Sequence, residues 1–342
     1  MPDTPADPPG LDLDRLRAHL DRELPGAVRG ALRAELIEGG RSNLTYVLTD
    51  GTSRWVLRRP PLGHVLATAH DMGREHRVMT ALRGTGVPVP ATLLLDAGTD
   101  VLGAPWYLME YVPGTAHRDA GPLAALGEHR VHALGGQLVD TLAALHRIDP
   151  AAVGLADFGR PEGYLERQLR RWSTQLAASR SRDLPGVDRL HGLLAARLPV
   201  SPAPALVHGD YRLDNVLVDE HDAITAVLDW EMSTLGDPLT DVGLLVMYTE
   251  LAGVGGGIIP SAATAPGFPA AGELVARYAE LTGREAADLD WYVAFASFKL
   301  AVVAEGIHFR FRQGRTLGAG FERAGEIAPV LAEHGLTTLK DH

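Results

Sequence analysis

Four side chains in the stretch 206–248 have the types and spacing needed for phosphoryl transfer: His208, Asp210, Asn215 and Asp229. In the pattern H-x-D-x-x-x-x-N, the aspartate takes the proton of an acceptor hydroxyl and the asparagine holds magnesium. Asp229 opens D-W-E, at the position where the metal-binding D-F-G of a protein kinase would stand. The stretch therefore predicts a catalytic loop followed by a metal-binding turn.

Asp210 is the predicted catalytic base. A carboxylate on a loop directly after a strand can hold an acceptor hydroxyl in line with the γ-phosphate and accept its proton. The tripeptide H-G-D alone would equally indicate a turn cap, but Asn215 and Asp229 at these spacings favour the base. His208 is a further catalytic candidate, although bracing of the loop by hydrogen bonds is the favoured interpretation for it.

Asn215 and Asp229 are the predicted magnesium ligands, because they offer the amide and carboxylate oxygens that this ion takes alongside phosphate oxygens. A hairpin predicted between them would bring the two side chains together. An Asx-turn is the alternative role for Asn215. Asp214 and Glu231 are nearby acidic alternatives, and both rank below the chosen pair.

A turn near the N-terminus supplies candidate phosphate donors, namely Gly39, Gly40, Ser42 and Asn43. Glycines let the backbone approach phosphates, and the two polar residues add N–H and side-chain donors. A simple hairpin turn is the alternative interpretation. The turn is not a P-loop, because G-x-x-x-x-G-K-[ST] is absent.

Arg58 is the predicted phosphate-binding cation, since it occupies the place of the lysine in the strand motif V-A-I-K. Arg59 would point to the opposite face and is the alternative. Glu75 lies on the next predicted helix and would pair with Arg58, unless it is a solvated helix charge. The main chain of Glu110 and Val112 is expected to contact adenine at a hinge.

Two further aspartates follow the metal-binding turn in G-D-P-L-T-D-V-G. Asp237 is predicted to cap the helix that begins near Pro238, where proline is favoured in the first turn. Asp241 is predicted to brace the catalytic loop. Both assignments are structural.

Hydrophobic periodicity predicts an α+β fold with two lobes. Residues 1–111 form a nucleotide-binding lobe with a small antiparallel sheet and one inserted helix, and residues 1–10 are expected to be disordered. Residues 112–342 form a larger, mainly helical lobe for catalysis and substrate binding. The predicted strands are 34–38, 44–49, 55–59, 92–97 and 106–111, and the predicted helices include 11–24, 67–83, 123–146, 162–179, 187–198, 271–282, 286–313 and 318–335.

The composition of the chain excludes some kinds of catalysis and argues against some classes of partner. The chain has 342 residues, a formal net charge of −11 and no cysteine, which excludes thiolate catalysis and disulfides and argues against nucleic acid as a partner. Only Lys299 and Lys340 among the 32 basic residues are lysines. The proline-rich N-terminus lacks the features of a signal peptide, so we expect a cytoplasmic protein without a membrane partner. A homodimer stays open.

These motifs carry a family resemblance. The segments LVHGDYRLDNVLVD and AVLDWEMSTLGDPLTDVG resemble the aminoglycoside phosphotransferase family, whose fold is protein-kinase-like. GGRSNLTYVL, WVLRRPP, REHRVMTAL and WYLMEYVPG resemble the branch of kinase-like domains attached to acyl-CoA dehydrogenases. The resemblance covers roughly residues 30–335.

The resemblance implies a small-molecule kinase that uses ATP and Mg²⁺. Asp210 would be the base, Asn215 and Asp229 the metal ligands, and Arg58 the phosphate contact oriented by Glu75. Arg58 replaces the lysine usual among antibiotic kinases, which argues against antibiotic resistance, and the dehydrogenase-associated branch implies a hydroxyacyl acceptor. The basic residues late in a predicted helix, His308, Arg310, Arg312 and Arg315, would suit such an anionic substrate, with a solvated basic helix end as the alternative. A nucleotide-binding scaffold without transfer activity is the alternative, and a short segment after Asp229 argues against a protein kinase.

Overall fold

The computed structural model describes two compact units of the chain. The described residues are 7–37, 43–62, 71–255, 258–286, 288–314 and 323–339. The first unit comprises Met1–Pro113 and Thr225–Glu231, and the second comprises Gly114–Ile224 and Met232–His342. Asp229, which we expected in the C-terminal lobe, therefore belongs to the first unit.

The first unit is built on a five-stranded antiparallel sheet with the order β1-β2-β3-β5-β4. Two α-helices, α1 and α2, accompany it. The elements are α1 (Leu13–Glu23), β1 (Arg33–Leu36), β2 (Leu44–Thr49), β3 (Arg54–Arg59), α2 (Met72–Leu82), β4 (Thr92–Asp96) and β5 (Trp106–Glu110).

Helix α1 packs on the sheet through its leucines. Asp12 caps it by accepting from Arg15 N at 2.9 Å. Leu16 and Leu20 recur at helical spacing and are fully buried in a core with aromatic residues of the strands. Burial of this apolar stripe, at about 25 cal/mol per Å², holds the helix on the sheet.

Residues 7–10 are ordered against the first unit, contrary to the disorder expected for 1–10. The Pro9 carbonyl accepts from the Tyr46 hydroxyl, and the Gly10 carbonyl accepts from Arg59 Nη1. The Asp7 carboxylate accepts from Leu13 N at 3.0 Å. The remainder of the expected segment, residues 1–6, lies outside the described residues.

The second unit is mainly helical, as predicted, with short strands around the catalytic loop. β6 and β9 pair antiparallel. β7 and β8 flank the turn of the predicted hairpin, and β8 continues into the first unit. The elements are α3 (Ala120–Ala124), α4 (Glu128–Arg147), α5 (Tyr164–Ser179), α6 (Pro185–Ala196), β6 (Ala205–Val207), β7 (Val216–Val218), β8 (Ile224–Val227), β9 (Thr234–Gly236), α7 (Leu239–Glu250), α8 (Ala271–Thr282), α9 (Leu289–Arg312) and α10 (Ala324–Thr338).

Helix α9 is the core helix of the second unit. By length and composition it is the one helix among the described residues that could cross a membrane, yet 72% of its apolar window is buried inside the structure. α7 and α10 pack against it. Its apolar character is therefore explained by burial among neighbouring helices.

Candidate functional site

Arg58, Glu75 and Asp229 meet in the first unit. Arg58 Nη2 lies 2.5 Å from Asp229 Oδ1, and Arg58 Nε lies 3.1 Å from Glu75 Oε2. The side chains of Arg58 and Glu75 are only 12% and 1% exposed. Burial acts to lower the pKa of Arg58, but Asp229 and Glu75 more than offset it, so the pKa is raised and the guanidinium stays charged.

The local sequence explains how β3 and α2 position this pair. Side chains alternate along a strand, so Arg58 and Arg59 point to opposite faces of the sheet. Arg59 donates to the Leu102 carbonyl at 3.0 Å and to the Gly10 carbonyl, away from the acidic cluster. Asp71 caps α2 and thereby places Glu75 in its buried first turn. The structure favours Arg58 over Arg59 as the site cation.

Two residues outside the primary candidate set complete this cluster. Tyr107 stands opposite Arg58 in the sheet register, and its hydroxyl donates to Glu75 Oε2 at 3.0 Å. Glu231 Oε2 lies 3.6 Å from Arg58 Nη2. Asn43 Nδ2 donates to Glu75 Oε1 at 3.2 Å and to Glu231 Oε2 at 3.0 Å.

The predicted phosphate-binding turn is described only at Asn43. Gly39, Gly40 and Ser42 lie outside the described residues. The side-chain nitrogen Nδ2 of Asn43 donates to Glu75 and Glu231, so these hydrogen bonds occupy the side-chain donor that we predicted for phosphate. Asn43 therefore ties the strand that follows the turn to the acidic cluster.

The charges of the cluster fit a divalent cation. Glu75, Asp229 and Glu231 place three carboxyl groups around one guanidinium, so negative groups are in excess. Among the described ranges, His, Asp and Glu side chains form no group of three that could hold a metal alone. Magnesium bound with phosphates needs only one or two protein carboxylates, so the donor set fits this ion.

Burial makes Glu75 sensitive to pH. It raises the pKa of Glu75 to about 7, although Arg58 acts in the opposite direction. Between the usual value of 4.5 and about 7, the folded protein keeps a proton that the unfolded chain releases. The free energy of unfolding therefore falls as pH rises through this window.

We expect Glu75→Gln to remove this pH dependence, which amounts to at most about 3 kcal/mol because one pKa unit corresponds to about 1.4 kcal/mol. Denaturant unfolding at pH 5 and pH 8, without magnesium or nucleotide, would measure it in both proteins. Equal pH slopes for the wild type and Glu75→Gln would contradict the raised pKa.

In the second unit, Asn215 holds Asp210. Asn215 Nδ2 donates to the Asp210 carbonyl at 2.7 Å and to Asp210 Oδ2 at 3.0 Å. Both bonds use the amide nitrogen, so the carbonyl oxygen Oδ1 of Asn215 is the atom suited to a metal. The spacing of five residues thus produces a direct contact between base candidate and metal-ligand candidate.

Arginines link Asp210 to Asp214. Arg212 Nε donates to Asp210 Oδ2 at 3.3 Å, and Arg212 Nη1 donates to Asp214 Oδ2 at 2.9 Å. Arg118 Nη1 donates to the same oxygen of Asp214 at 2.9 Å. Asp214 is thus engaged by two guanidinium groups, which supports its lower rank as a metal ligand.

Asp241 fastens the loop before the base candidate, as predicted. Its carboxylate accepts from His208 N at 2.7 Å and Gly209 N at 2.8 Å, and it lies 3.2 Å from His146 Nε2. His208 is fully buried, and its Nδ1 accepts from Asp210 N at 3.2 Å. This position suits bracing of the loop better than proton transfer.

Asp237 has the predicted capping contact. Its Oδ1 accepts from Leu239 N at 3.0 Å at the start of α7, and its Oδ2 accepts from the Tyr292 hydroxyl at 2.7 Å. At the expected hinge, Glu110 N donates to the Ala91 carbonyl at 2.8 Å. The N–H of Glu110 is thus engaged within the protein, and the adenine contacts of Glu110 and Val112 stay a prediction.

Sequence reasoning missed Tyr107, Arg118, Arg212 and Lys299. Arg212 stands two residues after Asp210 in the motif, so the sequence could have predicted that the two side chains lie close together. For Lys299, the sequence offered one indication, which is that the chain contains only two lysines. Tyr107 and Arg118 reach their partners by tertiary packing, which motif spacing does not encode.

The fold is that of the protein-kinase-like class, with the predicted α+β architecture. The model of the phosphotransferase enzyme family, APH, matches residues 33–292. The chain belongs to this family. A Ralstonia eutropha protein described as a candidate aminoglycoside phosphotransferase is 34% identical, with a TM-score of 0.82 over 96% of this chain and 98% of its own.

A more distant structure shares the fold alone. The GDP complex of aminoglycoside 2′-phosphotransferase IIIa is 15% identical, with a TM-score of 0.61, and covers 97% of this chain and 100% of its own. Among curated proteins, rat acyl-CoA dehydrogenase family member 11 is 35% identical over 95% of this chain but only 43% of its own length. The chain thus spans less than half of the curated relatives it matches.

Proposed function

We propose that the protein is an ATP- and Mg²⁺-dependent phosphotransferase that phosphorylates a hydroxyl group of a small molecule. The observation that carries the proposal is the double contact of Asn215 Nδ2 with Asp210, which leaves the Asn215 carbonyl oxygen for a metal. Family membership supports the reaction class. Solved structures that share the fold are complexes with GDP or ATP, which supports a nucleotide as the donor.

In the proposed reaction, Asp210 accepts the proton of the acceptor hydroxyl. The hydroxyl oxygen forms a bond to the γ-phosphorus while the bond to the ADP oxygen breaks, and ADP leaves with that electron pair. Asn215 and Arg212 both donate to Asp210 Oδ2, so we assign proton acceptance to Oδ1. The proton then passes to solvent, which regenerates the carboxylate.

The remaining roles concern the nucleotide. Arg58 would contact phosphate oxygens, and Glu75 would hold it in place. We assign the magnesium ligands to Asn215 and Asp229, and the bound ion would neutralise charge on the phosphates. The main chain of Glu110 and Val112 would bind adenine.

We further propose a hydroxyacyl compound as the acceptor, rather than an aminoglycoside. Arg212 contacts Asp210. Lys299 interacts electrostatically with Asp210 as well, and Arg171 interacts with Lys299. These cations offset the charge of Asp210, which lowers the electrostatic cost of placing an anionic acceptor beside it and weakens the attraction of a polycationic antibiotic. The curated relatives are named acyl-CoA dehydrogenase family members, which supports an acyl compound as the acceptor.

An acceptor screen tests this function. The purified chain would receive MgATP with hydroxyacyl-CoAs, free hydroxy acids, aminoglycosides, choline-like alcohols or sugars, and ADP release would be followed together with the mass of the product. We expect magnesium-dependent turnover to be fastest with a hydroxyacyl compound. Fastest turnover with an aminoglycoside would contradict the acceptor assignment.

A nucleotide-binding scaffold is the alternative function. Magnesium-dependent ATP binding without phosphorylation of any acceptor class would favour it. The hydrogen-bonded arrangement of Asp210 and Asn215 argues for catalysis, because a scaffold has no need of an oriented base.

A further inference from the structure

Lys299 reaches the catalytic loop from helix α9. Its Nζ donates to the Gly209 carbonyl, one residue before Asp210. The same ammonium lies 5.5 Å from the centroid of the Trp172 ring on α5, a favourable cation–π distance. Lys299 is half-buried, and taking a cation even partly out of water is costly unless it is compensated, which these two contacts do.

Gly209 is held on both sides. Its N–H donates to Asp241 Oδ1 at 2.8 Å, and its carbonyl accepts from Lys299. Its φ of +85° lies in the left-handed region. An added Cβ would stand 2.7 Å from the Met232 carbonyl oxygen, so a side chain is excluded there. These contacts therefore restrict the backbone of Gly209, directly before Asp210, to this conformation.

The choice of lysine is itself informative. Arginine supplies 30 of the 32 basic residues, yet lysine stands at position 299. An ammonium is a compact point charge on a flexible stem, whereas a guanidinium is a planar fork. Lys299→Arg therefore tests whether the contact with the Gly209 carbonyl depends on the shape of the cation as well as on its charge.

The charged groups around Lys299 come from several elements. Asp210 and Arg212 belong to the catalytic loop, Asp241 to α7 and Arg171 to α5. Burial lowers the pKa of Lys299, Arg171 and Arg212 act in the same direction, and the two aspartates oppose them. The aspartates thus favour the ammonium form that donates to Gly209.

We propose that Lys299 is a positioning residue that fixes the catalytic loop through the Gly209 carbonyl and thereby orients the Asp210 carboxylate. The proposal rests on the proposed function for its effect on turnover, but the loop geometry can be tested without it. Three amides report on the loop, because His208 N, Gly209 N and Asp210 N all have hydrogen-bond partners.

The test compares Lys299→Met, which removes the donor, with Lys299→Arg, which keeps a cation. Arg197→Met is the matched control, since Arg197 also donates to a backbone carbonyl, that of Leu339, at 3.1 Å. Hydrogen exchange of the full chain without nucleotide would be followed by mass spectrometry. We expect exchange of residues 208–210 to rise at least about tenfold in Lys299→Met.

Lys299→Arg should restore slow exchange in part, and Arg197→Met should leave the loop unchanged. Unchanged loop exchange in Lys299→Met, or an increase spread evenly over the second unit, would overturn the proposal. If Lys299→Met does not fold, Lys299→Gln takes its place with the same expectation. MgATP turnover should fall by about 10- to 100-fold with an unchanged KM for ATP. Where no acceptor is phosphorylated, the hydrolysis of ATP by water would be measured instead.

Hydrogen exchange of the loop and MgATP turnover distinguish the proposed role of Lys299 from the proposed function. A wild-type protein without turnover would contradict the proposed function, while the exchange result would still decide the role of Lys299. Normal turnover in a folded Lys299→Met protein would overturn the positioning role and leave the proposed function intact.

Discussion

Asp210→Asn is expected to lower phosphoryl-transfer turnover by about 10²- to 10⁴-fold, the range associated with loss of a general base. An amide cannot accept the hydroxyl proton. The substitution preserves size, and the amide oxygen can still accept from Asn215 or Arg212, which both donate to Asp210 Oδ2 in the wild type. The nucleotide affinity should therefore stay within about twofold, less than 0.5 kcal/mol.

Asp219→Asn is the matched control for this experiment. Asp219 closes the hairpin turn by accepting from His221 N and Ala223 N at 2.9 Å, and it has no assigned role in the reaction. Turnover per folded protein and the Kd for MgATP would be measured in both variants. Wild-type turnover in Asp210→Asn would show that the base assignment is wrong.

Arg58→Met is expected to weaken nucleotide binding by at least about tenfold and to lower stability by about 3–5 kcal/mol. The substitution removes the guanidinium that lies close to Glu75, Asp229 and Glu231. The buried Glu75 and the half-buried Asp229 and Glu231 then lose the compensation of this charge, which is strongly unfavourable. Loss of the phosphate contact accounts for the weaker binding.

Arg59→Met separates the two effects. Arg59 is buried in the adjacent strand position but donates to the carbonyls of Gly10 and Leu102. Its loss should lower stability while the Kd for MgATP stays near the wild-type value. Chemical unfolding and calorimetric titration would measure both quantities. Equal losses of affinity in the two variants would contradict the assignment of Arg58.

Much of the fold could be predicted from the sequence, because it follows local rules. Alternation and turn residues predicted the strands of the first unit to within two residues, and helical periodicity predicted α5 and α8 closely. The segment 225–231 is different. Its membership of the first unit depends on contacts distant in sequence, which periodicity does not contain.

The candidate site likewise contains contacts that follow from local spacing and contacts that depend on residues distant in sequence. The spacing of five residues explains the contact of Asn215 with Asp210, which we did not predict, and the predicted role of Asp241 as the brace of the loop is confirmed. Spacing could not identify Tyr107 or Lys299, because each contacts its partner across a sheet or from a distant helix. The place of the lysine in V-A-I-K favoured Arg58 over Arg59, whereas strand alternation predicts opposite faces but not which face carries the acidic cluster.

The most direct test of the central claim is detection of the phosphorylated acceptor by mass spectrometry, with wild type and Asp210→Asn side by side. The acceptors would be hydroxyacyl-CoAs and aminoglycosides, each with MgATP and with EDTA. The account predicts a phosphorylated hydroxyacyl product, one ADP for each product, no product in EDTA and almost none with Asp210→Asn. Tight MgATP binding by the wild type without any phosphorylated acceptor would contradict it.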